Sequence, residues 1–293
     1  MVCLDHTELG IVLALVECVK EALALFLEGH ILGHEFEILH AAFGDDQLDI
    51  LDISCRGIAR ELADTGDAVI LKPLLEVGGK KIIDWLLDDM EASGVDRTVV
   101  VSNHKFFDQF TDWAKGRDNV TVIDDGSTDN DHRLGAVKDI EFAIETACID
   151  DDLIVLAGDN VLDFSFRGFI EYGKAKGTTC IMRHEQKDVA KLRKTGVITI
   201  DDNDLVTSME EKPENPRSCW AVPPFYYYTK EDAALIKEGI NDGCGTDAPG
   251  SFISWLVKRR SVHAYLMPGH RYDVGSIEGY EKIRSEYKGI TVK

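Results

Sequence analysis

Arg97-Thr98-Val99-Val100-Val101-Ser102 and Leu153-Ile154-Val155-Leu156-Ala157 are apolar runs too short for helices and rich in side chains that suit a pleated, buried surface. Between them the pattern changes period three times. Residues 106–114 read as a helix, 119–124 (N-V-T-V-I-D) as a strand, and 133–146 as a second helix. Strands alternating with helices at this spacing imply βαβ units and a mostly parallel central sheet with flanking helices. Such α/β sheets bind ligands beyond the carboxyl ends of their strands. Toward the N-terminus, 67–71 (D-A-V-I-L) extends the pattern as a strand. Residues 82–93 extend it as a helix with Ile82, Ile83, Leu86, Leu87 and Met90 on one face. After Gly158 the helices thin out. Residues 178–183, 196–200, 205–210 and 218–228 read as strands, with Asp201-Asp202-Asn203-Asp204 as a turn, so this half should add antiparallel strands that wall off a second pocket.

The first 66 residues read as a separate helical segment, ahead of one α/β domain over 67–293. Residues 7–27 are apolar almost all round and must be buried by something, so a homo-oligomer formed through this N-terminal helix is a candidate arrangement. Glu17, Lys20 and Glu21 within the run argue against a membrane span. His30 and His34 have i, i+4 spacing with His40 beyond, but no second motif completes a metal site, and ordinary histidines are the better reading. Seven cysteines lie dispersed without a C-x-x-C pair, which suits free thiols in a reducing cytoplasm. The net charge of −21, from 32 Lys and Arg against 53 Asp and Glu, excludes a nucleic-acid backbone as the expected partner. It reads as solubility or adaptation to high salt. Any anionic ligand must then be met by locally placed cations or a metal.

Four short motifs supply such groups in fixed order: Lys72-Pro73-Leu74-Leu75-Glu76-Val77-Gly78-Gly79-Lys80, Gly158-Asp159-Asn160, Glu211-Lys212-Pro213 and Tyr272-Asp273-Val274-Gly275. Each alone is weak; G-D-N is an ordinary turn, and Asp273 could cap a helix. Together they offer two carboxylates able to share a metal and two lysines for phosphate charge. In this order they resemble the sugar-1-phosphate nucleotidylyltransferases of the glucose-1-phosphate thymidylyl- and uridylyltransferase type. The resemblance implies a Rossmann-like nucleotidyltransferase fold. It also implies Mg²⁺-dependent transfer of a nucleotidyl group, from UTP or dTTP, to a sugar 1-phosphate. By the same resemblance Asp159 and Asp273 would bind Mg²⁺, Lys72 the nucleotide phosphates, and Lys212 the sugar phosphate with Glu211 near sugar hydroxyls. Asn103, Gly126 and Gly135 would lie around the base and ribose.

One element departs from the family pattern. Members carry an apolar strand followed by A-A-G-x-G/A-T-R-L about ten residues before the lysine, a turn whose backbone amides wrap a triphosphate. Here 67–71 runs straight into Lys72. The other candidate strand, 48–53, precedes only Arg56-Gly57-Ile58-Ala59-Arg60. This leaves open a catalytically impaired homologue acting as a nucleotide- and sugar-phosphate-binding regulatory subunit. A glycosyltransferase is a third reading, through Asp150-Asp151-Asp152, but that triplet precedes its strand instead of following it.

Overall fold

A computed structural model describes residues 10–14, 71–128, 133–272, 274 and 277–292. Its centre is a sheet whose parallel part contains β1 (Gly10–Ala14), β4 (Arg97–Ser102), β5 (Val120–Asp124) and β6 (Leu153–Leu156), in the order β5-β4-β1-β6. Registers are regular: Val12 faces Val99 on one side and Val155 on the other. Successive residues point to opposite faces, so Val99, Val101 and Val155 pack under α3 (Ala136–Thr146). Val100, Ile154 and Leu156 pack under α1 (Ile82–Ala92), α2 (Phe107–Ala114) and α4 (Arg167–Lys176). Helices on both faces explain why these strands read as continuous apolar runs. The expected α/β architecture is the observed one.

The N-terminal reading needs a correction. Within the stretch expected to be helical, Gly10-Ile11-Val12-Leu13-Ala14 is a strand, and it fills the central slot between β4 and β6. A short continuous apolar run lacks alternation, so it cannot be told from a buried helix by period alone. Most of the rest falls outside the described residues. That applies to the remainder of the 1–66 segment, to 67–70 of the expected first strand, to 48–53, and to Arg56, Arg60 and the three histidines. Leu71 is extended but belongs to no strand; it precedes a 3₁₀ turn at Lys72–Leu74. A hairpin follows, β2 (Glu76–Val77) and β3 (Lys80–Lys81), whose two-residue loop Gly78-Gly79 has both φ positive, as a type I′ turn demands.

Beyond β7 (Val161–Leu162) the sheet continues antiparallel. β12 (Phe225–Tyr228) pairs with β6, and β8 (Thr179–Glu185) pairs with β12, with β11 (Trp220–Val222) and, in parallel, with β13 (Val262–Leu266). β9 (Gly196–Ile200) and β10 (Val206–Glu211) complete that edge. The strand expected over 218–228 is two strands, because Pro223 and Pro224 cannot donate to a ladder. The turn between β9 and β10 forms as expected: the Asp201 carboxylate accepts from the backbone N–H groups of Asn203 and Leu205. Among the described residues no helix is long and apolar enough to cross a membrane.

Candidate active site

The carboxyl ends of β4, β5 and β6 converge on one edge of the sheet, as strand direction requires. Asn103 follows β4, and its side-chain oxygen accepts from Phe106 N at 3.1 Å, opening α2. The loop after β5 is tied to it: Asp125 N donates to Ser102 O, and His104 N to Ser127 O, both at 2.9 Å. Gly126 sits at φ 77° in that loop and is exposed, with open space where a Cβ would stand. Asp159 comes three residues beyond β6, half-buried, with Asn160 Nδ2 3.3 Å from its Oδ1 and donating also to Ala157 O at 2.7 Å. The G-D-N turn is therefore internally braced at the strand's end.

β14 (Arg271–Tyr272) lies antiparallel to β7, with Tyr272 opposite Val161 and Arg271 opposite Leu162. This brings Tyr272 to Val161, the residue that follows Gly158-Asp159-Asn160, across more than a hundred residues of chain. Asp273 itself lies outside the described residues. Its neighbour Val274 packs with Val161, Leu75, Val77 and Ile82. Leu75, which follows the 3₁₀ turn of Lys72–Leu74, belongs to that same cluster. Arg271 donates to Asn160 Oδ1, and the Asp163 carboxylate accepts from His270 N, His270 Nδ1 and Tyr272 Oη, closing the β7–β14 pair. These bonds hold the Asp163 carboxyl below its ordinary range, against a burial effect of the opposite sign. Oxygen donors here suit Mg²⁺, which takes one or two carboxylates and fills its shell from phosphate and water. Among the described residues no three His, Cys, Asp or Glu gather as a metal cluster.

The Glu211-Lys212-Pro213 motif lies at the end of β10, on the antiparallel part of the sheet. Glu211 ends β10 with its carboxyl half-buried. Burial pushes that carboxyl up, Lys212 opposes the shift, and Asp247 adds to it. Lys212 has φ 47°, a left-handed conformation uncommon for a residue with a Cβ, and its N–H donates to Thr195 O. Strain of that kind persists where surroundings over-determine it. The Lys212 ammonium lies 4.0 Å from Asp247 Oδ2, and Arg133 holds the other oxygen of the same carboxylate. Gly135, expected near the base and ribose, has φ 88°. A Cβ there would meet Thr246 O at 2.6 Å, and Val137 N donates to that same carbonyl, so it is the chain's own backbone that approaches closely.

β14 lies against β7, the strand that follows Asp159; Glu211 and Lys212 meet Asp247, and Gly135 meets its neighbour Thr246; Asn103 and Gly126 stand in the loops after β4 and β5. Arg133, Asp139 and Asp247 escaped the sequence reading. Asp139 is in the first turn of α3 on its core-facing stripe, buried, with Oδ1 lacking a hydrogen-bond partner. Burial, with Asp125 beside it and Arg133 opposing, pushes its carboxyl up to about 7. The break in an apolar helical stripe at Asp139 was the available signal.

The nucleotidyl transferase family model matches residues 68–289. Similar curated proteins include a glucose-1-phosphate adenylyltransferase of Fervidobacterium nodosum, 26% identical over 72% of this chain and 54% of its own length. Another is the bifunctional protein GlmU of Methanocaldococcus jannaschii, 24% identical over 70% of this chain and 46% of its own. The chain spans about half the length of the curated relatives it matches. Two solved structures share the fold. One is a Bacillus anthracis protein assigned as a glucose-1-phosphate thymidylyltransferase, with TM-score 0.64 and 15% identity, covering 98% of this chain and 97% of that one. The other is an apo UDP-glucose pyrophosphorylase, with TM-score 0.59 and 19% identity, covering 74% of this chain and 90% of that one. With the motifs carried on that fold in the expected order, the chain belongs to the nucleotidyl transferase family.

Proposed function

We propose that the protein transfers a nucleotidyl group from a nucleoside triphosphate, UTP or dTTP, to a sugar 1-phosphate, giving a nucleotide sugar and pyrophosphate. The observation that supports this reading is the pairing of Tyr272, the residue before Asp273 in the sequence, with Val161, two residues after Asp159. A phosphate oxygen of the sugar 1-phosphate attacks the α-phosphorus of the nucleotide. The bond to the β-phosphate breaks, and pyrophosphate leaves with its electron pair. Both reactants are anions, so the work of the protein is neutralisation and alignment. Lys72 meets the nucleotide phosphates. Lys212 holds the sugar phosphate as a point charge, released from a 4.0 Å approach to Asp247 that is too long to compete. Glu211 accepts hydrogen bonds from sugar hydroxyls. Mg²⁺, held by Asp159 and Asp273, would supply further charge neutralisation at the reacting phosphates. The free thiols at Cys148, Cys180, Cys219 and Cys244 support a cytoplasmic setting.

A second reading is a regulatory subunit that binds these ligands without turnover. What favours it is the sequence after β1: Leu15-Val16-Glu17-Cys18-Val19-Lys20 offers none of the glycines that wrap a triphosphate. It predicts binding without pyrophosphate release. The sugar-phosphate assignment common to both readings is tested by calorimetry on Lys212→Ala. Affinity for glucose 1-phosphate should fall by about 1.5–3 kcal/mol, one charge-assisted contact, with nucleotide affinity kept. Equal loss for both ligands would contradict it.

A further inference from the structure

The carboxyl of Glu211 occupies a gap that exists because two residues beside it have no side chain. Gly250 opens α8 (Gly250–Leu256) and Gly196 opens β9. A Cβ at Gly250 would overlap Glu211 Oε2 outright and would stand 2.6 Å from Met209 Cε. At Gly196 it would stand 3.0 Å from Oε2 and 2.5 Å from Met209 Cε. Neither glycine is needed for its backbone freedom, since neither has a positive φ. Gly250 is buried at a helix start where alanine would be the better helix former. The space a side chain would fill is the space the carboxylate fills.

We infer that Gly250 is a positioning residue of the sugar pocket: by lacking a side chain it seats the Glu211 carboxylate at the depth from which it reaches sugar hydroxyls. The inference rests on the proposed function above. Gly196 also lines the slot, beside the same carboxylate oxygen and the same Met209 methyl. The groups that act on the seated carboxyl are Lys212 from the following residue and Asp247 from the segment before α8, and the carboxyl in turn acts on the buried phenol of Tyr226. An enlarged residue at 250 would push the carboxylate toward solvent and leave the pocket without its acceptor.

The test compares the wild type, Gly250→Ala, Glu211→Asp and the double variant by calorimetry with glucose 1-phosphate and, separately, with UTP. A ¹³C NMR titration of the Glu211 carboxyl accompanies it. Gly250→Ala should weaken glucose 1-phosphate binding about tenfold or more and leave UTP binding as it was. The double variant, shorter by one methylene at 211, should recover part of that loss, whereas Glu211→Asp alone should weaken binding. The Glu211 titration, raised in the wild type, should move back toward the ordinary carboxylate range in Gly250→Ala. Unchanged sugar-phosphate binding, equal loss for both ligands, or an unmoved Glu211 titration would each overturn the inference. Wild-type protein that binds no sugar phosphate would overturn the functional reading and the recognition role with it. In that case the titration still decides whether Gly250 seats the carboxyl.

Discussion

A buried carboxyl with an unpartnered oxygen costs little while protonated and a great deal once charged, and Asp139 is such a group. Its folded-state value of about 7 lies above the ordinary 3.8, so between these pH values the folded chain holds a proton that the unfolded chain releases. Stability from this residue is therefore full below about pH 4 and is lost as pH rises through about 7. Asp139→Asn removes the ionisation. Its stability relative to wild type should be more favourable at pH 8 than at pH 5 by roughly 2–3 kcal/mol, at about 1.4 kcal/mol per pH unit. Urea unfolding at the two pH values checks this; an equal difference at both would contradict it. Residues with a local motif around them were legible in the sequence. Glu211 and Lys212 come as a fixed pair before a proline, and Asp159 follows an apolar strand. Asp247 was not legible, because its meaning lies in contacts with Lys212 and Arg133 that only the fold creates.

The elements depend on a few backbone positions, and two glycines separate the reasons. Gly79, in the β2–β3 turn, has φ 83° and open space around it, so Gly79→Ala carries only the cost of a left-handed alanine, about 1 kcal/mol. Gly135, at the start of α3, has φ 88° and ψ 151°, a region essentially closed to other residues and costing roughly 1–3 kcal/mol, and it also abuts the Thr246 carbonyl. Gly135→Ala should therefore be the more destabilising in thermal unfolding. It should also weaken ligand binding by shifting Thr246 and Asp247; equal melting temperatures for the two variants would contradict this. Elements with a clear period were readable to within a few residues. α1 spans Ile82–Ala92 with every residue of the expected face buried, and β4 spans Arg97–Ser102 as expected. The central strand β1 was not readable, since a continuous apolar run carries none of the alternation that marks a half-buried strand. The split of 218–228 into β11 and β12 was signalled by Pro223-Pro224, whose missing donors end one ladder and begin the next.

At the scale of the whole molecule, topology and charge act together. The parallel part of the sheet points its carboxyl ends, with Asn103, Asp125 and Asp159, at one edge, and the antiparallel extension carries Glu211 and Lys212. The alternation of strands and helices made this arrangement legible before any contact was known. The pairing of β14 with β7 was reachable only through family resemblance, because no periodicity links residues so far apart. The net charge of −21 sets an electrostatic self-repulsion that salt screens. The melting temperature should rise steadily as KCl is increased from about 0.01 M, where the screening length is ~30 Å, to about 1 M, where it is ~3 Å. A melting temperature indifferent to KCl would show that the acidic surface is not a stability burden. The central claim, that these motifs form one site for nucleotidyl transfer, is tested most directly by pyrophosphate release. The assay takes each of four nucleoside triphosphates with a panel of phosphorylated sugars, in the presence of Mg²⁺. Release should require a sugar 1-phosphate, be strongest with UTP or dTTP, and vanish in Asp159→Ala. No release with any pair, despite measurable binding of both ligands, would contradict the transferase and leave the binding homologue.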